Sequence, residues 1–233
     1  MANEVFRRKE IKYILTKDEF NKLLNIINKH IEKDKYYKST ICNIYYDTSH
    51  YDLIRHSLDK PIYKEKVRVR SYGIPKLTDK VFLEIKKKYN GIVGKRRIEV
   101  TLKDFYNYLQ TGELKNVNQQ IKQEIDYCFK LYDLKPKLFL AYDRLSYYDK
   151  DDINFRITFD TNIRSREDNL RLEKGDKGKL HFDDDIIIME TKALNAYPLW
   201  FVKAISELKL YPESFSKYGS IYQKKYKEEL EYV

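Results

Sequence analysis

The sequence has little of what most nucleophilic, redox and zinc sites use. Its only cysteines, Cys42 and Cys128, form no C-x-x-C pair, so both are read as buried or semi-buried thiols of a reducing compartment. Four histidines are present: His30 falls on an expected helix, His50 and His56 near a short polar turn, and His181 in a loop. Each reads as a surface or structural residue, which leaves no nucleophilic triad and no His/Cys spacing for zinc. Seven glycines and five prolines leave little room for a floppy linker. Long apolar runs are missing too. Ile186 to Met189 is only strand-length, so no membrane span is expected, and the charged segment from Met1 to Lys12 lacks the apolar stretch of a signal peptide. A soluble, cytoplasmic protein is expected.

What is present is charge and aromatic surface. Hydrophobic residues make up 42% of the 233, enough for a core, and the length suits one large domain or two small ones. A single domain over 1–233 is the expectation. Charged residues reach 35%, yet aromatics reach 15%, with 22 Tyr and 11 Phe; disordered chains are poor in aromatics, so the chain folds. The formal net charge of +10 points to phosphate-bearing partners.

Helical signals are few. Thr16 and Glu19 form a capping box, followed by Phe20, Leu23, Leu24, Ile27 and Ile31 at helical spacing. A second helix starts at Thr101 and stops near Gly112. A third carries Ile121, Ile125, Cys128, Phe129 and Tyr132. A fourth follows Pro198, with Leu199, Val202, Ile205 and Leu208 expected on one face, and the tail from Ser220 to Leu230 is a polar helix or frayed end. Between them lie eight strand candidates: Val5 to Ile14, Thr40 to Asp47, Glu65 to Tyr72, Val81 to Lys88, Lys95 to Val100, Lys137 to Tyr147, Asn154 to Asp160 and Asp185 to Ala193. Ser165 to Asp184 reads as a hairpin or mobile loop. No βαβ alternation appears, so an α+β fold is expected, an eight-stranded antiparallel β-barrel with helices packed outside.

The informative pattern has period 2, since side chains two apart on a strand share a face. Lys66, Arg68 and Arg70 share one face, with Val67 and Val69 opposite. Glu84, Lys86 and Lys88 oppose Leu83 and Ile85; Lys95, Arg97 and Glu99 oppose Ile98 and Val100. Arg156, Thr158 and Asp160 oppose Phe155, Ile157 and Phe159. Glu190 and Lys192 share a face with Ile188, and Arg8, Glu10 and Lys12 share another. Basic residues recurring on neighbouring strands repel. The pattern leaves three readings open: solvated outer faces of a sheet, a charged concave site, or an extended nucleic-acid surface. The concave reading also gives the helices a place, over the apolar outer faces.

Several short segments carry a resemblance. They are Arg8-x-Glu10-x-Lys12-Tyr13, Tyr46-Asp47-Thr48, Lys66-Val67-Arg68-Val69-Arg70-x-Tyr72, Phe82-Leu83-Glu84-Ile85-Lys86, Lys95-Arg96-Arg97, Tyr142-x-Arg144, Arg156-Ile157-Thr158-Phe159-Asp160, Met189-Glu190-x-Lys192 and Phe215-Ser216-Lys217-Tyr218. In this order and spacing, from about Phe6 to Tyr218, the chain resembles the triphosphate tunnel metalloenzyme (CYTH-like) superfamily. Within it, it is similar to the catalytic domain of the vacuolar transporter chaperone (VTC) polyphosphate polymerases. The resemblance implies an eight-stranded tunnel whose inward basic residues grip a triphosphate, with a divalent ion, Mn²⁺ or Mg²⁺, on Glu190. It implies phosphate-contacting roles for Lys12, Lys66, Lys86, Arg97, Arg144, Arg156 and Lys192, and catalytic roles for Arg68, Arg70 and Lys217. Ser216 and Tyr218 would help bind phosphate at the tunnel mouth. One departure stands out: hydrolytic tunnel enzymes usually open E-x-E-x-K, and here the first position is Arg8.

Phosphoryl transfer suits such a residue set, because it needs positioning and cation stabilisation more than a base. The terminal phosphate of a growing chain is already an anionic acceptor. The expected function is therefore an ATP-dependent polyphosphate polymerase whose partners are ATP and polyphosphate, with duplex nucleic acid excluded. The alternatives are a tunnel triphosphatase acting on inorganic or nucleoside triphosphates and a non-catalytic polyphosphate-binding module.

Overall fold

A computed structural model describes residues 9–90, 92–182, 185–194 and 196–231. Arg8 and the start of the first expected strand lie outside the described residues. The elements in chain order are β1 (Lys9–Thr16), α1 (Lys17–Ile27), β2 (Ile31–Asp47), α2 (Asp52–Leu58), β3 (Tyr63–Tyr72), β4 (Lys80–Tyr89) and β5 (Ile92–Thr101). Then follow α3 (Leu102–Thr111), α4 (Gln119–Tyr132), β6 (Lys135–Asp149), β7 (Arg156–Arg166), β8 (Lys179–Leu180), β9 (Ile186–Ala193), α5 (Leu199–Glu207) and α6 (Lys217–Glu231). The fold is α+β. Its antiparallel strands follow the order β1-β9-β7-β6-β2-β3-β4-β5, with the two-residue β8 paired to β7. The eight strands of that path are the eight expected, and β1 and β5 are its ends.

The chain divides into two compact units, each assembled from separated stretches. The first comprises residues 1–40, 142–163 and 180–216. Its core sets Tyr13, Leu15, Ile157, Phe159, Ile187 and Met189 from the strands against Leu23 and Ile27 of α1 and Phe201 and Ala204 of α5. Burying each large aliphatic or aromatic side chain contributes roughly 1.5–3 kcal/mol, so these helices are held by their apolar stripes. Helix α1 opens on the expected capping box: Glu19 N–H donates to Thr16 Oγ1 at 3.2 Å, and the Glu19 carboxylate accepts from Thr16 N–H at 2.8 Å. It ends at Ile27 rather than Ile31, because Ile31 opens β2 and reaches the same core from a strand. Helix α5 is rotated from the expected face. Leu199 is 76% and Val202 43% exposed, while Phe201 and Ala204 are buried.

The second unit comprises residues 41–141, 164–179 and 217–233. Val67, Val69, Leu83, Ile85, Ile98 and Val100 of β3, β4 and β5 pack with Leu102, Phe105 and Tyr108 of α3 and Ile121, Ile125 and Cys128 of α4. Thr101 caps α3 through Asp104 N–H at 3.1 Å, and Gly112 ends it with φ +73°, a backbone region open to glycine. Helix α2 was not expected; Asp47 starts it by accepting Leu53 N–H at 2.9 Å and Ile54 N–H at 3.0 Å. Cys42 and Cys128 are both buried as thiols. Among the described residues no helix is long and apolar enough to cross a membrane.

Candidate functional site

In the second unit the apolar sides of β3, β4 and β5 are spent on the α3–α4 core, so their alternate residues share the opposite face. Strand register sets these residues in cross-strand rows. Tyr45, Arg68, Glu84 and Arg97 form one row across β2, β3, β4 and β5. Asn43, Arg70, Phe82 and Glu99 form the next on one side, and Lys66, Lys86 and Lys95 the next on the other. Three lysines directly opposite one another repel unless anions compensate.

Glu84 is the centre of this face. It is 1% exposed. Its Oε2 accepts Arg68 Nε and Nη2, both at 2.8 Å. Its Oε1 accepts Arg97 Nε at 2.7 Å and Nη2 at 2.5 Å, and lies 2.6 Å from Lys95 Nζ. Burial opposes its ionisation, but Arg68, Arg70, Lys95 and Arg97 outweigh burial and hold the carboxyl well below the usual range. One buried carboxylate therefore aligns two guanidinium groups, whose rigid donor forks match phosphate oxygens. Arg70 is fixed differently: its Nε donates to Asn43 Oδ1 at 2.9 Å, and Asn43 Nδ2 donates to the Leu140 carbonyl at 3.0 Å.

Tyr45 completes the row. Its hydroxyl accepts Arg68 Nη1 at 3.1 Å, and its ring stacks on Tyr218 with centroids 4.7 Å apart. Burial raises its pKa, and Arg68, Arg70 and Lys66 more than reverse that, bringing the phenol down to about 8. Tyr218 in turn donates to Asp47 Oδ2 at 3.0 Å, so its hydroxyl joins α6 to the cap of α2. Lys217, the first residue of α6, is buried.

In the first unit the corresponding charged face belongs to β1, β9 and β7. Lys12, Glu190 and Thr158 form one row, and Glu10, Lys192 and Arg156 the next. Lys12 Nζ donates to the Phe215 carbonyl at 2.7 Å, fixing the backbone next to the half-buried Ser216. Arg144 and buried Asp160 form a two-bond fork. Arg156 is exposed and donates to Asp34 at 3.3 Å. Glu190 lies 2.9 Å from Lys192 Nζ. Among the described residues no three His, Cys, Asp or Glu side chains gather as a ligand set. A carboxylate such as that of Glu190 would suit a hard ion such as Mg²⁺ or Mn²⁺ that takes its other oxygens from phosphate and water.

The register thus unites Lys66, Arg68, Arg70, Lys86 and Arg97 on one face of the second unit. It places Lys12, Arg156, Glu190 and Lys192 on one face of the first. Sequence reasoning missed Tyr45, Asn43 and Tyr72 as members of the charged face. Tyr72 shares the period-2 phase of the arginines on its own strand, which was the available signal, whereas Tyr45 and Asn43 need strand pairing to be seen. Glu84 and Asp160 balance charge deep in the protein, whereas Glu99 pairs with exposed Lys80.

A candidate adenylate cyclase of Bacillus halodurans has a similar fold, with a TM-score of 0.57 at 11% identity, covering 93% of this chain and 96% of that one. A candidate adenylyl cyclase of Hippeastrum, described with a dominant triphosphatase activity, gives 0.55 at 14%, covering 92% and 95%. A candidate adenylate cyclase of Vibrio parahaemolyticus gives 0.52 at 12%, covering 94% and 99%. No curated protein matches the sequence. The VTC domain family model matches residues 7–226. With that match across almost its full length, the chain belongs to the VTC domain family.

Proposed function

We propose that the protein is a divalent-metal-dependent polyphosphate polymerase that moves the γ-phosphate of ATP onto a growing polyphosphate chain. The observation that carries this reading is the row in which Glu84 aligns Arg68 and Arg97. Such a pair of preset guanidinium forks grips phosphate oxygens without reorganising as charge shifts between them. Arg70, Lys66 and Lys86 extend the grip along neighbouring rows. In the same proposal Lys12, Arg144, Arg156, Lys192, Ser216 and Tyr218 contact phosphate, and Lys217 guides the transferring group. Glu190 holds Mg²⁺ or Mn²⁺, which supplies charge neutralisation at the phosphate oxygens.

The transfer balances without a general base. An anionic terminal oxygen of the chain bonds to the γ-phosphorus, the bond from that phosphorus to the β–γ bridging oxygen breaks, and ADP leaves with the electron pair. Lys66 and Lys86 add positive charge beside the arginines, so a product that gains about one negative charge per added phosphate stays attached.

The test is product analysis. Purified protein with ATP and Mn²⁺ should yield ADP and long polyphosphate by phosphorus NMR and gel, with orthophosphate minor and chains shortening as salt rises. Orthophosphate as the main product would make it a triphosphatase, the activity described for the Hippeastrum neighbour. Binding of polyphosphate without turnover would leave a binding module.

A further inference from the structure

In the second unit Tyr46 and Tyr108 are buried in the core, and Tyr106 and Tyr132 pack against it. Tyr72 is not among them. It ends β3 in the phase of Lys66, Arg68 and Arg70, and is 52% exposed. Phe82 is the neighbouring ring on β4, directly opposite Arg70 in register. The two rings meet edge to face, with centroids 5.6 Å apart and planes at 81°. Arg97 lies over the Phe82 ring, its guanidinium carbon 4.2 Å from the centroid. Tyr72 is thus held at its edge by Phe82 while much of its surface stays open. The turn that follows exposes Ile74 and Leu77 as well.

An exposed aromatic surface, with Ile74 and Leu77 exposed on the turn beyond it, therefore stands at one end of the face that carries Lys66, Arg68, Arg70, Lys86 and Arg97. Inorganic polyphosphate is charged along its whole length and gains nothing from such an end. A ligand that is anionic over one part and planar and apolar over the other uses both. Tyr72 lies two residues from Arg70 and four from Arg68, about 7 and 13 Å along the strand. That is the scale on which a nucleoside separates its base from its outer phosphates. We infer that Tyr72, backed by Phe82, is the stacking platform for the base of a nucleoside triphosphate whose phosphates lie along Arg70, Arg68 and Arg97.

The inference rests on the proposed function, because it needs a nucleotide as phosphoryl donor, and it assigns the residue that distinguishes that donor from inorganic phosphate chains. Base–aromatic stacking tolerates any base, so the site selects nucleotides as a class. Arg97 links the two parts: the guanidinium that packs on Phe82 is the one that Glu84 aligns.

The experiment compares two probes, the β,γ-imido analogue of ATP and inorganic triphosphate, by titration calorimetry on the full chain. Tyr72→Ala should weaken the ATP analogue about tenfold, the scale of one lost stacked base, and leave inorganic triphosphate within about twofold. Tyr72→Phe keeps the ring and should bind both probes like the wild type. Equal losses for both probes would reduce Tyr72 to a prop for Arg97 and overturn the inference, as would an unchanged affinity for the analogue. If the wild type binds neither probe, the proposed function fails with it. If the wild type binds inorganic triphosphate and Tyr72→Ala changes nothing, only the stacking platform fails.

Discussion

Arg144 and Asp160 face each other across a two-bond fork, with Nε 2.6 Å from Oδ1 and Nη2 2.7 Å from Oδ2. Both side chains are withdrawn from solvent, Asp160 completely. Burial works against the arginine's charge, and Asp160 more than offsets it, raising the guanidinium pKa well above its ordinary value. Removing one partner of such a pair leaves a charge buried without compensation, at a cost of about 3–5 kcal/mol. Asp160→Asn should therefore lower the urea midpoint sharply, even though it changes shape very little. A midpoint equal to wild type would mean that the pair contributes nothing to stability.

Glu84 should govern the acid limb of stability. Its folded-state pKa is depressed, so its contribution is fully present above the ordinary glutamate value of 4.5 and is lost as pH falls through the lower folded value. Glu84→Gln should cost stability at pH 7, by about 3 kcal/mol on the scale of broken buried pairs. As pH falls from 4.5 towards the lower folded value the mutant and wild type should converge, and urea melts from pH 7 to pH 2.5 read both effects. Parallel curves across that range would contradict the depressed pKa.

Tyr45 offers a spectroscopic reporter of the basic face. Against ordinary phenols near pH 10, it should ionise at about 8, visible as tyrosinate absorbance that disappears in Tyr45→Phe. The sign follows from a folded-state value below the unfolded one. Ionisation adds stability as pH rises from 8 toward 10, and that increment is absent below the folded value. Inorganic triphosphate bound to Arg68 supplies negative charge beside the phenol, so it should move this titration upward. A titration that ignores saturating triphosphate would place the anion away from Arg68.

The fold was largely legible because strand and helix signals here are local. Thr16, Thr101 and Gly112 mark helix ends through their own chemistry, and the valines alternating with arginines in β3 announce two faces. What was hidden depends on partners distant in sequence. The segment from Ile31 to Lys38 is charged and carries no alternation of its own, and α2 is seven residues started by a carboxylate that precedes it. Leu199 and Val202 have helical spacing yet face solvent, because Phe201 and Ala204 fill the core better. For the candidate site, the period-2 phase identified the arginines. Glu84 as their shared anchor and Tyr45 as their aromatic neighbour appear only once β2, β3, β4 and β5 are placed in register.

Glu190 is the remaining decisive residue, and two roles compete for it. It lies 2.9 Å from Lys192 Nζ, so it could simply balance that lysine. As the proposed ligand of Mg²⁺ or Mn²⁺, it would do more than balance charge. Glu190→Gln keeps the shape and removes the negative charge, and a metal-ligand role predicts a loss of roughly 100-fold in metal-dependent turnover with the fold intact. The Mn²⁺ concentration giving half-maximal turnover should rise as well. Charge balance alone predicts something else: turnover falls, but the half-maximal Mn²⁺ concentration stays that of the wild type. Circular dichroism and thermal melts of both proteins separate misfolding from either role. An unchanged Mn²⁺ dependence in a folded Glu190→Gln variant would remove Glu190 from the metal site.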